Sequence, residues 1–246
     1  MPVFDVLTFR KCALRLAAAA VAAVGLSGCQ SVQGTSSTTA GIRFVAASPD
    51  APGLDFLLNK NVQTYNLGYN SYTPNYLYVS PGTYTVAAAQ YGADTTSLAS
   101  TSLTIQTAKH YTAIAANVQA SMQLIALTDQ YGPAPSGQFS IRLVDLSTAT
   151  GALDIYLIPT GSTIVTTNPL YTGLTFSGTT GYITVPAGTY QLEIVANGTV
   201  VTTTTVTYYT GSQTTFASGA VRTILIDDNK LVTNPVLQAI TLADYN

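Results

Sequence analysis

His110 is the single histidine of the chain, so a Ser-His-Asp triad or any imidazole general base would have to be built on it. It sits beside Lys109 at the start of the run Tyr111–Ala116, which predicts a surface histidine at a strand end, and no nucleophile-elbow motif accompanies it. Metal-assisted hydrolysis needs clustered histidines and carboxylates, and glycoside hydrolysis needs a carboxyl pair. The carboxylates of this chain are scattered instead. Asp55 and Asp154 follow similar sequences and are expected to meet Arg43, Arg142 or turn amides rather than a substrate. Asp227-Asp228-Asn229-Lys230 lacks the spaced ligands and distal Glu of a calcium loop and reads as a hairpin turn. No catalytic residue, metal ligand or cofactor is expected.

Aromatic residues are the one chemical concentration. Tyr65, Tyr69, Tyr72, Tyr76 and Tyr78 are interleaved with Asn66, Asn70 and Asn75. A tyrosine ring offers apolar area at low entropic cost and an amide offers hydrogen bonds, a combination suited to sugar rings or a protein partner. Tyr76 and Tyr78 share one parity of a predicted strand, the placement of residues that cover a sheet. The candidate binding surface is therefore Tyr65, Tyr69, Asn70 and Tyr72.

The strongest motif is at the N-terminus. Arg10, Lys11 and Arg15 precede an apolar run, Leu16 to Leu26, of about 11 residues, against the roughly 20 that span a bilayer. The run ends in Leu26-Ser27-Gly28-Cys29, which resembles the bacterial lipobox and implies a lipidated Cys29 as the mature N-terminus. Residues 1–28 are thus expected to be a lipoprotein signal peptide, and 29–40, polar and small, a lipidated tether reaching about 20 Å. Gln30 follows Cys29 where an Asp would resemble an inner-membrane retention signal, so an outer-membrane location is expected in a cell with two membranes.

Composition narrows the rest. Only 8% of the 246 residues are charged while 47% are hydrophobic, against roughly 25% charged in a typical soluble domain. Long helices with charged faces are ruled out, and no basic field exists to neutralise phosphates, so nucleic acid is not an expected partner. The only other cysteine, Cys12, lies in the signal segment, which leaves the mature chain without a disulfide or a thiol nucleophile. After Arg10, Lys11, Arg15 and Asp5 are removed, 6 basic and 10 acidic side chains remain, so membrane attachment would rest on the acyl chains.

The elements that must position these residues are strands. β-Branched and aromatic runs are punctuated by turn residues every 8 to 12 positions or so, the pattern of a sandwich or barrel. Asn197-Gly198 predicts a tight hairpin, with Val200 to Val206 returning as its partner strand. Pro-Gly-Thr-Tyr at 81–84 and Pro-Ala-Gly-Thr-Tyr at 186–190 predict turns that each launch a strand, with the tyrosine hydroxyl tied to a nearby backbone group. The body also reads as one unit written twice. Ile42-Arg43-Phe44-Val45 is answered by Ile141-Arg142-Leu143-Val144, and Leu54-Asp55-Phe56 by Leu153-Asp154-Ile155, at the same offset. Leu127-Thr128-Asp129 matches Leu242-Ala243-Asp244 further on. The expected organisation is repeat 1 at 41–131, a proline-stiffened linker at 132–137 and repeat 2 at 138–246. Each unit is expected to fold alone, with the first carrying recognition and the second serving as spacer.

Ile42 to Asp55, including Ala47-Ser48-Pro49-Asp50-Ala51-Pro52, followed by the Pro-Gly-Thr-Tyr turn, resembles an uncharacterised bacterial family of secreted repeats of unknown function. Its hallmark is His-Ala-Ser-Pro-Asp-Ala-Pro, then Val-Asp-Val-Tyr, then Pro-Ala-Gly-Thr-Tyr. The family's histidine position is Ala46 in the first unit and Asp145 in the second. The resemblance implies an all-β fold of two tandem immunoglobulin-like or transthyretin-like β-sandwich repeats at the cell envelope, behind the lipoprotein signal peptide. The expected function is a non-enzymatic envelope lipoprotein, structural or interacting, with an envelope protein or a glycan as partner. A carbohydrate-binding module for glycan or peptidoglycan is the alternative, and a hydrolase the third reading.

Overall fold

A computed structural model describes residues 38–230 and 236–246. Cys29, the signal segment and all but the last residues of the tether lie outside the described residues. Thr38–Asn246 is one compact unit, and it is all-β. Its first half contains β1 (Ala40–Ala47), β2 (Leu54–Leu58), β3 (Asn61–Leu67), β4 (Ser71–Tyr72), β5 (Leu77–Val79), β6 (Gly82–Gln90), β7 (Ser97–Ile105), β8 (His110–Ala116) and β9 (Gln123–Asp129). The second half contains β10 (Gln138–Asp145), β11 (Leu153–Pro159), β12 (Tyr171–Leu174), β13 (Ile183–Pro186), β14 (Gly188–Ala196), β15 (Tyr209–Thr210), β16 (Thr214–Phe216), β17 (Val221–Asp228) and β18 (Leu237–Tyr245).

In the first half, an inner sheet of order β4-β1-β8-β9, with β5 also on β1, faces an outer sheet of order β3-β2-β6-β7. The second half has the corresponding arrangement, an inner sheet β13-β10-β17-β18 against an outer sheet β12-β11-β14-β15. In both halves the first strand of the inner sheet pairs in parallel with a later one, setting Arg43 opposite Thr112 and Arg142 opposite Thr223. Each sandwich has its own core. Ile42, Phe44 and Ala46 meet Leu54, Phe56 and Val86 in the first, and Ile141 and Leu143 meet Ile155 and Ile194 in the second.

A third core joins the two inner sheets. Val45, Ala47, Ile114, Ala116 and Leu127 pack against Val144, Leu146, Leu225 and Leu242. The result is four layers, outer, inner, inner, outer, and it explains the residue pattern of the strands. Every residue of β1 and β8 is buried, as expected of strands covered on both faces, whereas β7 alternates because one of its faces meets water. The second half therefore does more than extend the first: it covers an apolar face that the first half alone would expose.

Local turn chemistry follows the sequence in most places. Tyr84 donates to the Ser80 carbonyl and Tyr190 to the Pro186 carbonyl, both at 2.8 Å. Asp55 accepts from the Asn66 and Gly92 amides, and Asp154 from those of Gly173 and Gly198, so both carboxylates hold turns and neither meets an arginine. One expected strand is absent. Residues 200–206 form a loop, with Val200 and Val206 exposed and Val201 lying on Tyr156, Ile158, Ile164 and Val195. The Thr202 hydroxyl and the Thr205 side chain bond locally, which offers that backbone an alternative to a ladder.

Candidate binding site

The charged residues shared by the two halves meet at one end of the junction between the inner sheets. Arg43 donates from Nε to Thr112 (2.8 Å), from Nη1 to the Ala243 carbonyl (2.9 Å) and from Nη2 to Asp244. Arg142 mirrors it, donating from Nε to Thr223 (3.0 Å), from Nη1 to the Thr128 carbonyl (2.9 Å) and from Nη2 to Asp129 (2.5 Å). Each arginine thus reaches the carboxylate of the opposite half. Thr112 and Tyr76 close the shell around Asp129, at 2.6 and 2.8 Å, and Thr223 and Tyr182 close it around Asp244, at 2.6 and 2.9 Å. The Arg43 guanidinium lies over the Tyr76 ring and that of Arg142 over the Tyr182 ring, 4.8 and 4.7 Å from the centroids. Burial, reinforced by Asp129 for Tyr76 and by Asp244 for Tyr182, drives both phenols above their ordinary pKa. The four charges cancel, and the contacts made by one arginine are repeated by the other.

An aromatic cluster sits at the edge of this network. His110, in β8, is buried rather than at the surface as its strand-end position predicts, and its imidazole stacks on Tyr131 with ring centroids 3.4 Å apart. Tyr76 and Tyr78 approach it edgewise at 4.7 and 6.1 Å. Gly41 makes room for this packing: a Cβ there would stand 2.4 Å from His110 Cδ2 and 3.0 Å from Tyr76 Cβ. Both ring nitrogens of His110 are buried without a hydrogen-bond partner, and burial lowers the pKa of the imidazole.

Two hollows meet at Tyr131. The larger, about 520 Å³, is lined by Asn75, Tyr76, Tyr78, Tyr131, Tyr245 and Asn246 among others, and so draws on both halves. The smaller, about 280 Å³, is lined by Lys109, His110, Gln130 and Tyr131. Tyr131 stands nearly perpendicular to Tyr76 and to Tyr245, at 84° and 85°. Tyr78 is 61% exposed and Tyr131 51%, the latter despite having one face against His110.

The sequence-predicted surface is divided. The Tyr69 hydroxyl donates to the Asp228 carbonyl and the Asn70 amide to Gln238 (2.7 Å), so both residues are occupied in the junction between halves. Tyr65 on β3 and Tyr72 on β4 are exposed, and neither lines the two hollows. Sequence reasoning missed Tyr131, which lies next to the linker, and Tyr245, which ends the last strand. The paired Asp129 and Asp244 were visible as a repeated motif, but their arginine partners lie across the junction and nothing local announces them.

At the other end of the junction, Asp227 is buried beside Tyr69 and Asp228, and burial pushes its carboxyl up to about 8. Asp145 is raised by burial to about 6, against two bonds from Ser147 that lower it. Asp228 instead accepts from the Thr148 amide and hydroxyl and the Ala149 amide. Among the described residues no group of three or more His, Cys, Asp or Glu side chains is placed to hold a metal ion.

Residues 40–156 match the domain of unknown function DUF4397. The DUF4397 match runs from β1 into β11, and so includes Arg43, Tyr76, Thr112, Asp129 and Arg142 while stopping short of Tyr182, Thr223 and Asp244. No curated protein matches the chain. Among solved structures, a leucine-rich repeat protein from Bacteroides thetaiotaomicron is 14% identical, over 76% of this chain and 26% of its own, with a TM-score of 0.22. The Bacillus anthracis TIE protein is 9% identical over 84% and 44%, with a TM-score of 0.23. A streptococcal virulence factor described for alpha-glucan binding is 14% identical over 79% and 97%, with a TM-score of 0.25. This chain spans about a quarter of the first of these proteins and under half of the second.

Proposed function

We propose that this protein is a non-enzymatic interaction module of the bacterial cell envelope, exported by its first 28 residues and anchored through lipid on Cys29, in the outer membrane where the cell has two membranes. The observation that carries the reading is how the polar side chains are used. Arg43, Arg142, Asp129 and Asp244 neutralise one another in the junction, and Asp55 and Asp154 hold turns, while the surface at the edge of the junction is aromatic and amide-rich. Such a surface suits recognition: tyrosine contributes apolar area with few rotamers to freeze, and asparagine adapts its hydrogen bonds.

Two measurements test the two parts of this proposal. Cys29→Ser is expected to release the exported protein from membranes in soluble form, and quantitative retention of that variant with membranes in high salt would refute the acyl anchor. A photo-crosslinking residue placed at Pro74, exposed at the same surface, in the otherwise intact protein is expected to capture an envelope component in living cells. Catalytic turnover by the purified protein that is lost in His110→Ala would replace the binding reading with an enzymatic one.

A further inference from the structure

We propose that the two hollows around Tyr131 form one binding groove for a neutral oligosaccharide, with sugar rings stacked on Tyr78, Tyr131 and Tyr245. This rests on reading the chain as a binding module and names the ligand class of that module.

Charge is the first argument. The exposed charged side chain lining the groove is Lys109, for Asp129 and Asp244 turn their oxygens to the arginines, threonines and tyrosines of the network. A ligand carrying phosphate or carboxylate groups along its length would find one cation and no anion-binding frame. Shape is the second. Parallel ridges of rings are the geometry that grips an extended proline-rich peptide. Tyr131 instead makes a corner with Tyr76 and another with Tyr245. A pyranose has an apolar face of C–H bonds and a rim of hydroxyls, so a corner lets one ring take the face while polar groups at its foot take the rim. Asn75 and Asn246 stand in the larger hollow and Gln130 in the smaller. The larger hollow, at about 520 Å³, is within the size range of small-ligand sites.

Exposed rings held in place are the third argument. Tyr131 is 51% exposed although His110 stacks on one of its faces, so the ring is fixed while the rest of it stays open to a ligand. The groove continues on both sides of Tyr131, so more than one sugar unit would be held, and its walls come from Tyr76 and Tyr78 in the first half and Tyr245 in the second.

The test uses the intact lipidated protein in detergent micelles, titrated with maltohexaose, cellohexaose and chitohexaose and followed by tyrosine emission, which no tryptophan of this chain obscures. At least one of the three is expected to bind saturably, and Tyr78→Ala and Tyr131→Ala are each expected to weaken it about tenfold or more. Tyr65→Ala, exposed but outside the groove, is expected to bind as the parent does. Binding that survives both groove variants would overturn the site. A decaproline peptide that binds while all three sugars fail would overturn the ligand class. Failure of every sugar together with capture of a protein by the crosslinker at Pro74 would also overturn the ligand class, and would leave the interaction module standing. Absence of both sugar binding and any crosslink would remove the module as well.

Discussion

At the residue scale, two buried groups have measurable consequences. Asp227 sits without a cation in the junction, and its carboxyl is raised from the ordinary 3.8 to about 8, so it stays protonated at neutral pH in the folded protein while the unfolded chain would ionise it. Its stabilising effect is therefore complete below about pH 4 and is lost as pH rises through 8, at up to about 1.4 kcal/mol per pH unit. Asp227→Asn, which copies the neutral form, is expected to unfold at higher urea than the parent at pH 9, with the difference vanishing near pH 4. Equal midpoints at both pH values would show that this carboxyl is not held neutral. Gly41 is the second case. Gly41→Ala must displace His110 or the Tyr76 backbone, and a cost of about 1–3 kcal/mol is expected in denaturant unfolding. An altered His110 ring signal in NMR spectra would place the strain at the aromatic cluster.

At the element scale, the pairing of β1 with β8 and of β10 with β17 sets each arginine beside a threonine and aims it at the far half. Two charges of each sign are buried here, and removing one partner leaves another uncompensated. Arg43→Ala and Asp244→Ala are each expected to cost about 3 kcal/mol or more, with strong coupling between them in a double-mutant cycle. Replacing the pair together by Met and Leu is expected to cost far less. Additive losses in the cycle would contradict the crossed pairing. The network's directional bonds fix how the two inner sheets sit on one another, since an aliphatic surface such as Val45, Ile114, Leu225 and Leu242 has no directional preference of its own.

At the scale of the whole molecule, the four layers make the halves interdependent. Removing residues 138–246 would bare Val45, Ala47, Ile114, Ala116 and Leu127, and would take Asp244 and Arg142 away from Arg43 and Asp129, leaving those two charges only their own contact at 3.7 Å. The truncated chain is expected to self-associate, because a surface that pairs isologously with its counterpart can pair with a second copy of itself, Arg43 reaching the Asp129 of that copy. A monomeric, cooperatively folded first half in size-exclusion and thermal unfolding experiments would refute this dependence. The groove built from both halves should be lost with the same truncation, so the binding proposed for it would be lost too, and binding retained by the first half would make the second a spacer.

Much of this was legible in the residues. Alternation and turn chemistry sufficed for an all-β sandwich, because side-chain period and backbone preference are local properties. The matched motifs Ile42–Val45 with Ile141–Val144 and Leu127–Asp129 with Leu242–Asp244 also marked residues that occupy corresponding strands. Local reasoning failed where the outcome depended on what lay opposite. It made residues 200–206 a strand, though local threonine bonds and the cover they give the outer sheet hold them as a loop. It offered Tyr69 and Asn70 as free surface, though the second half occupies them. A sequence shows which faces are apolar and which side chains are polar, but only packing decides whether a face is covered by one sheet or two. That second covering turned Arg43 and Asp129 into a buried lock, brought Tyr131 and Tyr245 beside His110, and created a groove that neither half contains.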